Sequence, residues 1–396
     1  MLTPAQAETL IEQHLVCLPI ESLPLTQAAG AVLRENIYAE RDHPPFDRAA
    51  LDGIALSSAF AGTGRLRVIG LQTAGGEQRE LTEPQTCIEI LAGAVLPRGC
   101  DAVVPTEQLQ RNGGVVEIGR HAVQPWQFVN RRGSDCRQGA LLLAAGTRLT
   151  APEVAIAAGA GMARLRVSAQ PMIVVVSIGN ELVEPGETIE PHQVRRSNAY
   201  GITASLRQHG FTGVADDHIR DDEADIEKRL DFHLRTHDVL ILSGGVSMGN
   251  LDIVPKVLER LGVGLVFHTV AQRPGKPMWF GVSQSGPAVF ALPGNPVSTL
   301  VCLARYVLPA LRASMGQASS DPPRISLTTA VEVVAPLAEH LPVVLKSDDW
   351  GRTSAEPKPT NGTGDFTSLA GTDGFVELPP GPNTLPKGFV ARFFRW

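Results

Sequence analysis

The chain has 396 residues, an apolar fraction of 43% and a formal net charge of −6. That length suits several domains, and the charge argues against a broad nucleic-acid-binding surface while leaving room for a local basic pocket. No apolar run reaches the length that a bilayer-crossing helix needs, and the N-terminus carries no basic-then-apolar secretory signal, so a cytoplasmic protein is expected.

In chain order, TPAQAETLIEQHL opens with a helix start: Thr3 as N-cap, Pro4 at the first helical position and Gln6 completing a capping box. Ala7, Leu10, Ile11, Leu15 and Leu18 form an apolar stripe. Between about 39 and 139, Gly and Pro recur among short alternating runs such as RLRVIG, TCIEIL, DAVVP and GVVEIG, which predicts a small inserted β-rich domain. Helix returns from Thr150, with Pro152 in its first turn.

From Pro171 the pattern becomes α/β. MIVVVS, FTGVADDHI, DVLILS and GLVFHTV read as strands, separated by helical stretches, and MWFGV with AVFAL reads as a further strand pair. NPVSTLVCLARYVLPAL predicts one long helix, with Asn295 as cap and Pro296 in the first position. Such alternation predicts a doubly wound, largely parallel sheet covered on both faces. After SSDPP, the runs RISLTTAVEVV, PVVLK, GFVELP and GFVARFF predict a C-terminal β domain. The expected division is 1–38 with 140–168 (helical and linker), 39–139 (inserted β), 169–317 (α/β) and 318–396 (C-terminal β).

The five cysteines are scattered without CxxC, and the ten histidines show no metal-ligand spacing. Reduced thiols and structural or surface histidines are expected. The chemistry gathers instead in loops that follow strands. SGGVSMGNLD follows DVLILS; its paired glycines and the helix start at Asp252 make an anion site. SIGNEL carries Glu181, RPGKP carries Arg273 and Lys276, LPGNPVS carries Asn295 and Ser298, and Asp221 and Asp222 follow the second strand. Ligands of doubly wound sheets bind at the carboxyl ends of strands, so these loops share one rim. Glycine turns, two cations and several carboxylates there suit a phosphorylated ligand held with Mg²⁺. Taken singly, each loop also reads as a turn or a cap. In the inserted domain, PPFDRAALDGIA holds Asp47 and Asp52, and FVNRRGSD holds Arg131, Arg132 and Asp135; solvated loops with local ion pairs are the plainer reading of either.

The ordered motifs PPFDRAALDG, ILAGAVLPRGCDAVVPTE, NRRGSD, SIGNEL, SGGVSMGNLD, RPGKP, LPGNPVS and NGTGDFTSL resemble the molybdopterin molybdotransferase family, the molybdenum insertases. The resemblance implies four domains, a homodimer, and a central α/β domain that binds molybdopterin. It implies conversion of adenylylated molybdopterin and molybdate to molybdenum cofactor and AMP with Mg²⁺. By residue-for-residue match it implies catalytic roles for Asp52, Asp135, Glu181, Asp221 and Asp252, the last two also at the metal. Asp52 and Asp135 would reach the cleft from the partner subunit. Substrate contacts would come from Ser243, Gly244, Gly245 and Ser247, from Arg273 and Lys276 on the molybdate side, and from Pro293, Gly294, Asn295, Pro296 and Ser298 on the pterin side. The dithiolene sulfurs of that substrate suit molybdenum, so the protein need supply no thiolate. A molybdopterin adenylyltransferase and molybdoenzyme apoproteins are implied as partners.

The chain departs from the family pattern at Ala92 (usually Thr), Asn130 (usually Arg), Ser134 (usually Glu), Asn180 (usually Asp) and Arg196 (commonly an acid). A second reading is a non-catalytic protein that holds molybdopterin or finished cofactor. A third, an adenylyltransferase acting on molybdopterin, would leave the flanking β domains without a use.

Overall fold

The most apolar runs of the chain form its central sheet. The computed structural model describes residues 1–119, 122–245, 253–333, 336–381 and 383–396. Six strands make this sheet: β1 (Ile173–Ile178), β2 (Val214–Ile219), β3 (Val239–Ser243), β4 (Val263–His268), β5 (Trp279–Ser283) and β6 (Ala288–Leu292), in the spatial order β2-β1-β3-β6-β5-β4. The first four in that order run parallel, and β5 is antiparallel to both neighbours. Every residue of β1, β3 and β6 is buried, as a sheet covered on both faces requires.

Alternation along the strands divides these side chains between two cores. Ile173, Val175, Val239, Ile241, Phe290 and Leu292 pack on one side with Ile202 and Leu206 of α1 (Ser197–Gln208). Val174, Val176, Leu240, Leu242, Val289 and Ala291 pack on the other with Ile226 and Leu230 of α2 (Glu223–Thr236) and Val254 and Val257 of α3 (Ile253–Arg260). The doubly wound α/β architecture follows from the sequence pattern.

The helical run after β6 differs from its expected form. It begins as α4 (Pro296–Cys302), widens into a π turn over Leu303–Val307 and resumes as α5 (Leu308–Ser314). Pro309 accounts for the break: it has no N–H to give the carbonyl four residues back, at Arg305, and its ring crowds that carbonyl. Arg305 lies in the widened turn with 0% of its surface exposed.

The N-terminal helix spans Pro4–His14, and its capping box forms: Gln6 N–H donates to the Thr3 hydroxyl at 3.2 Å, and Thr3 N–H to the Gln6 side chain at 2.9 Å. Strand Ile20–Pro24 pairs with Arg164–Ser168, and Ile37–Tyr38 with Leu141–Leu143. The intervening chain leaves and returns between these pairs. It forms a six-stranded sheet in the order Ala102–Pro105, Gly53–Leu56, Thr86–Ile90, Arg65–Gln72, Val115–Ile118, Leu109–Asn112.

The C-terminal strands close on themselves. Ala338–Ser347 pairs with both Thr353–Pro357 and Gly374–Leu378, while Arg324–Leu327 and Val390–Arg395 complete the ring. Gln272–Arg273, from the central domain, adds to this sheet in parallel with Ala338–Glu339. That pairing carries the RPGKP loop onto the C-terminal domain.

Candidate active site

The carboxyl ends of β1, β3 and β6 open into a cavity of about 680 Å³. After β3 the wall is Ser243 and Gly244. Gly244 has φ 96°, and a Cβ there would lie 2.5 Å from the Ile178 carbonyl oxygen, so only glycine passes this close to β1. Gly294, Asn295 and Pro296 supply the wall after β6. After β1, the Glu181 carboxylate folds back over Gly179, filling the space that a side chain on Gly179 would need. Glu181 lines the cavity, as do Leu182 and Ser177.

The wall opposite comes from the excursion between β1 and α1. Leu182–Val183 pairs in parallel with Val194–Arg195, and Val194 N–H donates to the Glu181 carbonyl at 2.8 Å. Arg196, 4% exposed, anchors this excursion: it donates to Glu184 at 2.5 Å, to the Asp217 carbonyl at 2.9 Å and to the Asp216 carboxylate. Burial works against the Arg196 charge, but bonds from Asp216 and Glu184 more than offset it and leave the guanidinium more firmly protonated than usual. The Arg196 bond likewise holds the Glu184 carboxyl below its ordinary range, with help from Tyr200. Asn198 ties two walls together, donating to the Ser243 hydroxyl at 2.9 Å and the Gly294 carbonyl at 2.7 Å.

The C-terminal domain closes the cavity with Gly364 and Phe366. Asp365 caps the short turn Phe366–Leu369. Bonds from Ser368, the Asn361 N–H and Thr367 hold its carboxyl far below the usual range. Asn295 does not cap α4 with its side chain. Its Nδ2 donates instead to the Thr363 hydroxyl at 2.9 Å, across to the C-terminal domain. Beyond that bond lies a second cleft of about 80 Å³, lined by Arg273, Pro274, Glu339, His340, Leu341, Pro342, Thr360 and Thr363 among others. Lys276 is exposed on the same loop and lines neither space. Pro293 and Ser298 are buried and line neither space. Gly245 follows Gly244 with φ 70°, and a Cβ on it would strike Val254 of α3.

Asp221 stands at the end of β2, exposed. It exchanges two hydrogen bonds with Asn180: Asn180 N–H donates to the Asp221 carboxylate at 3.0 Å, and Asp221 N–H to the Asn180 side-chain oxygen at 3.2 Å. Asp222 caps α2, accepting from Asp225 N–H at 2.9 Å. Ser247 and Asp252 lie outside the described residues.

Three motifs of the inserted domain meet at one place. Arg48–Ala49 pairs with Val129–Asn130, and Asp47 accepts from Arg132 N–H at 2.7 Å. Asp52 accepts from Ala92 N–H at 2.7 Å. The Arg131 guanidinium covers the Trp126 ring at 4.2 Å, and Ser134 donates to Asp135 at 3.1 Å. Asp52 and Asp135 are exposed and do not line the cavity of their own chain.

Of the residues singled out from sequence, the structure gathers Glu181, Ser243, Gly244, Gly294, Asn295 and Pro296 around one cavity and sets Arg273 in the adjoining cleft. Sequence reasoning missed Asn198, Arg195, Phe366 and Glu339. For the first three the available signals were RRSN at a helix start on the strand-end rim and the glycine-rich NGTGDF run; Glu339 had none.

A doubly wound domain with its cavity at the carboxyl rim, flanked by two β domains, places the chain among multidomain α/β proteins whose ligand site lies at the strand ends. Residues 2–161 match the MoeA N-terminal region (domain I and II), 174–313 a probable molybdopterin binding domain, and 324–393 the MoeA C-terminal region (domain IV). A molybdopterin molybdenumtransferase of Synechocystis is 37% identical over 400 residues, covering 100% of both chains. Molybdopterin molybdenumtransferase 2 of Mycobacterium tuberculosis is 33% identical over 82% of each. The crystal structure of a molybdopterin biosynthesis moeA protein from Pyrococcus horikoshii aligns with a TM-score of 0.85 at 25% identity, over 100% of both chains. The chain belongs to the MoeA family of molybdopterin molybdenumtransferases.

Proposed function

We propose that this protein is a molybdopterin molybdotransferase: it inserts molybdate into adenylylated molybdopterin and releases AMP in a Mg²⁺-dependent reaction. The observation that carries this reading is a pair of spaces, one lined by Asn295 and the other by Thr363, whose side chains are hydrogen-bonded to each other. A cavity of about 680 Å³ suits a pterin and its phosphate groups, and a cleft of about 80 Å³ beside Arg273 suits a tetrahedral oxyanion. A relative named for this activity shares the full length of the chain.

Hydrolysis of the adenylate's phosphoanhydride leaves one phosphate on the pterin product and one on AMP. Asp221 offers hard carboxylate oxygens at the rim, the donor type that Mg²⁺ takes, and Asp252 completes the proposed metal set, with Glu181 a proposed catalytic carboxylate beside it. Among the described residues no three His, Cys, Asp or Glu side chains cluster as a metal cage. Mg²⁺ commonly takes one or two carboxylates and fills its other positions with substrate phosphates and water, the arrangement proposed here. When bound, the ion offsets charge on the departing AMP.

The proposed domain division is that of the motifs, 1–38 with 140–168, 39–139, 169–317 and 318–396; the pairing of Ile37–Tyr38 with Leu141–Leu143 supports the first boundary. The proposed assembly is a homodimer in which Asp52 and Asp135 complete the partner's cavity, supported by their exposure among three converging motifs. A molybdopterin adenylyltransferase supplying the substrate and apoproteins taking the product are the proposed partners. A cytoplasmic location is proposed too; no helix among the described residues is long and apolar enough to cross a membrane.

The test is incubation with adenylylated molybdopterin, Mg²⁺ and molybdate, with AMP measured over time. AMP release that requires both molybdate and Mg²⁺ is expected. Tight pterin binding with no AMP would instead support a carrier of molybdopterin or cofactor.

A further inference from the structure

We propose that Glu339 is the acid that protonates the oxygen molybdate loses when the substrate's sulfurs bind. The proposal rests on the reading of the Arg273 cleft as the oxyanion compartment.

Geometry places Glu339 there. Gln272–Arg273 runs parallel to Ala338–Glu339, with Arg273 in register with Glu339, and both residues line the cleft of about 80 Å³. Pro274, Pro342 and Pro359 also line it and have no N–H to donate; Thr360 and Thr363 contribute hydroxyls. Partly buried, Glu339 makes no hydrogen bond or ion pair among the described residues, and neither does the Arg273 side chain. Glu377, on the adjacent strand Gly374–Leu378, is by contrast bound by Arg305, Arg392 and His340. An unpartnered carboxyl in a cleft is costly as an anion and is better tolerated with its proton on. Burial accordingly raises Glu339, with Arg273 pulling the other way. The remaining titratable neighbours leave it free. The His340 ring faces Glu377 at 3.3 Å, and Thr360 to Thr363 carry no ionisable group.

The chemistry needs such a group. A dianionic MoO₄ that accepts two thiols forms two Mo–S bonds and breaks one Mo–O bond. The two thiol protons depart with that oxygen as water, and molybdenum keeps its oxidation state. Oxide is a poor leaving group until it is protonated. Glu339 donates its proton to the departing oxygen and recovers one from a thiol, ending as it began. Arg273 pairs with the oxygens that stay. With its proton on, the carboxyl also spares the dianion the repulsion that a carboxylate would bring.

The experiment compares wild type, Glu339→Gln and Glu339→Asp. Molybdate-dependent AMP release and the molybdenum content of the pterin product are followed from about pH 5 to about pH 9, and molybdate binding to the pterin-free protein is measured by calorimetry. A general acid contributes on the order of 10²–10⁴-fold, so Glu339→Gln should lose that much kcat. Its molybdate KM and Kd should be unchanged or lower. Glu339→Asp should recover at least about a tenth of the rate, consistent with tenfold per 1.4 kcal/mol of misplacement. Wild-type turnover should fall at alkaline pH, and Glu339→Gln should lack that decline. Full kcat in Glu339→Gln, or a raised molybdate Kd at unchanged kcat, overturns the acid role. A wild type that binds molybdate yet releases no AMP overturns the transferase reading, and the acid role with it.

Discussion

Arg305 donates to Glu377 at 2.7 Å and so ties the π turn of the central domain to a strand of the C-terminal domain. A second bond, to Glu8 at 3.0 Å, brings in the N-terminal helix. One buried guanidinium thus joins three parts of the chain, and it also lies over the Phe394 ring at 4.8 Å. Removing one member of a buried pair leaves an uncompensated charge, at about 3–5 kcal/mol. Arg305→Met should therefore lower the unfolding free energy by at most about that much in urea titration, since His340 and Arg392 stay on Glu377. Glu377→Leu added to it should cost more still, because it takes the hydrogen-bond partner of the buried His340 ring.

The same cluster sets an acid limit. Burial would raise the Glu377 carboxyl, but His340 and Arg305 outweigh it and bring it down to about 2. A carboxyl lowered on folding stabilises the protein above its unfolded value, about 4.3, and that stabilisation is lost as the pH falls toward about 2. Burial lowers His340 as well, so protonation of the unfolded chain begins to favour unfolding below about pH 6.5. Melting temperature should fall gently from about pH 6.5 and steeply below about pH 4.3. Glu377→Gln should melt lower at neutral pH, with the steep acid limb flattened.

Asn180 sits beside Asp221, and its side-chain oxygen accepts from Asp221 N–H. An aspartate keeps that acceptor and adds a charge beside Asp221. Asn180→Asp should lower the Mg²⁺ concentration for half-maximal AMP release several-fold, with little change in melting temperature. An unchanged or higher Mg²⁺ requirement would remove Asp221 from the proposed metal set.

Arg273 and Lys276 share a loop but not a position, since only Arg273 lines the cleft. Arg273→Ala should raise the molybdate concentration for half-maximal turnover about tenfold to a hundredfold, the worth of a strong charge-assisted contact. Lys276→Ala should raise it less. Neither should shift the melting temperature much, because both side chains are exposed.

The proposed shared site has its own genetic test. Asp52→Ala and Glu181→Ala proteins, each inactive alone, should regain part of the wild-type rate when their subunits are exchanged. A monomer in sedimentation, or no recovery after verified exchange, would argue against composite sites.

Much of this was readable because local rules were obeyed. MIVVVS and DVLILS are buried strands by length and content, and Thr3 with Gln6 announces a capping box that forms. The π turn escaped because the apolar stripe continues through it; the sign was Pro309, four residues past Arg305. Asn295 looked like a cap, and local chemistry alone would have made it one. Its partner Thr363 belongs to another domain, and no local pattern points there. Glu339 was invisible for the same reason: it comes into register with Arg273 only when Gln272–Arg273 joins a sheet far along the chain.

The Asn295–Thr363 bond also bears on the order in which reactants arrive. Since the small cleft has walls of its own, its anion can wait there while the larger cavity empties and refills. Loading then needs no fixed sequence, and initial-rate plots at varied pairs of reactant concentrations should intersect rather than run parallel. Thr363→Val removes only the bond and keeps the volume of the wall, so the intersecting pattern should persist and molybdate should remain a companion of the pterin, never its competitor.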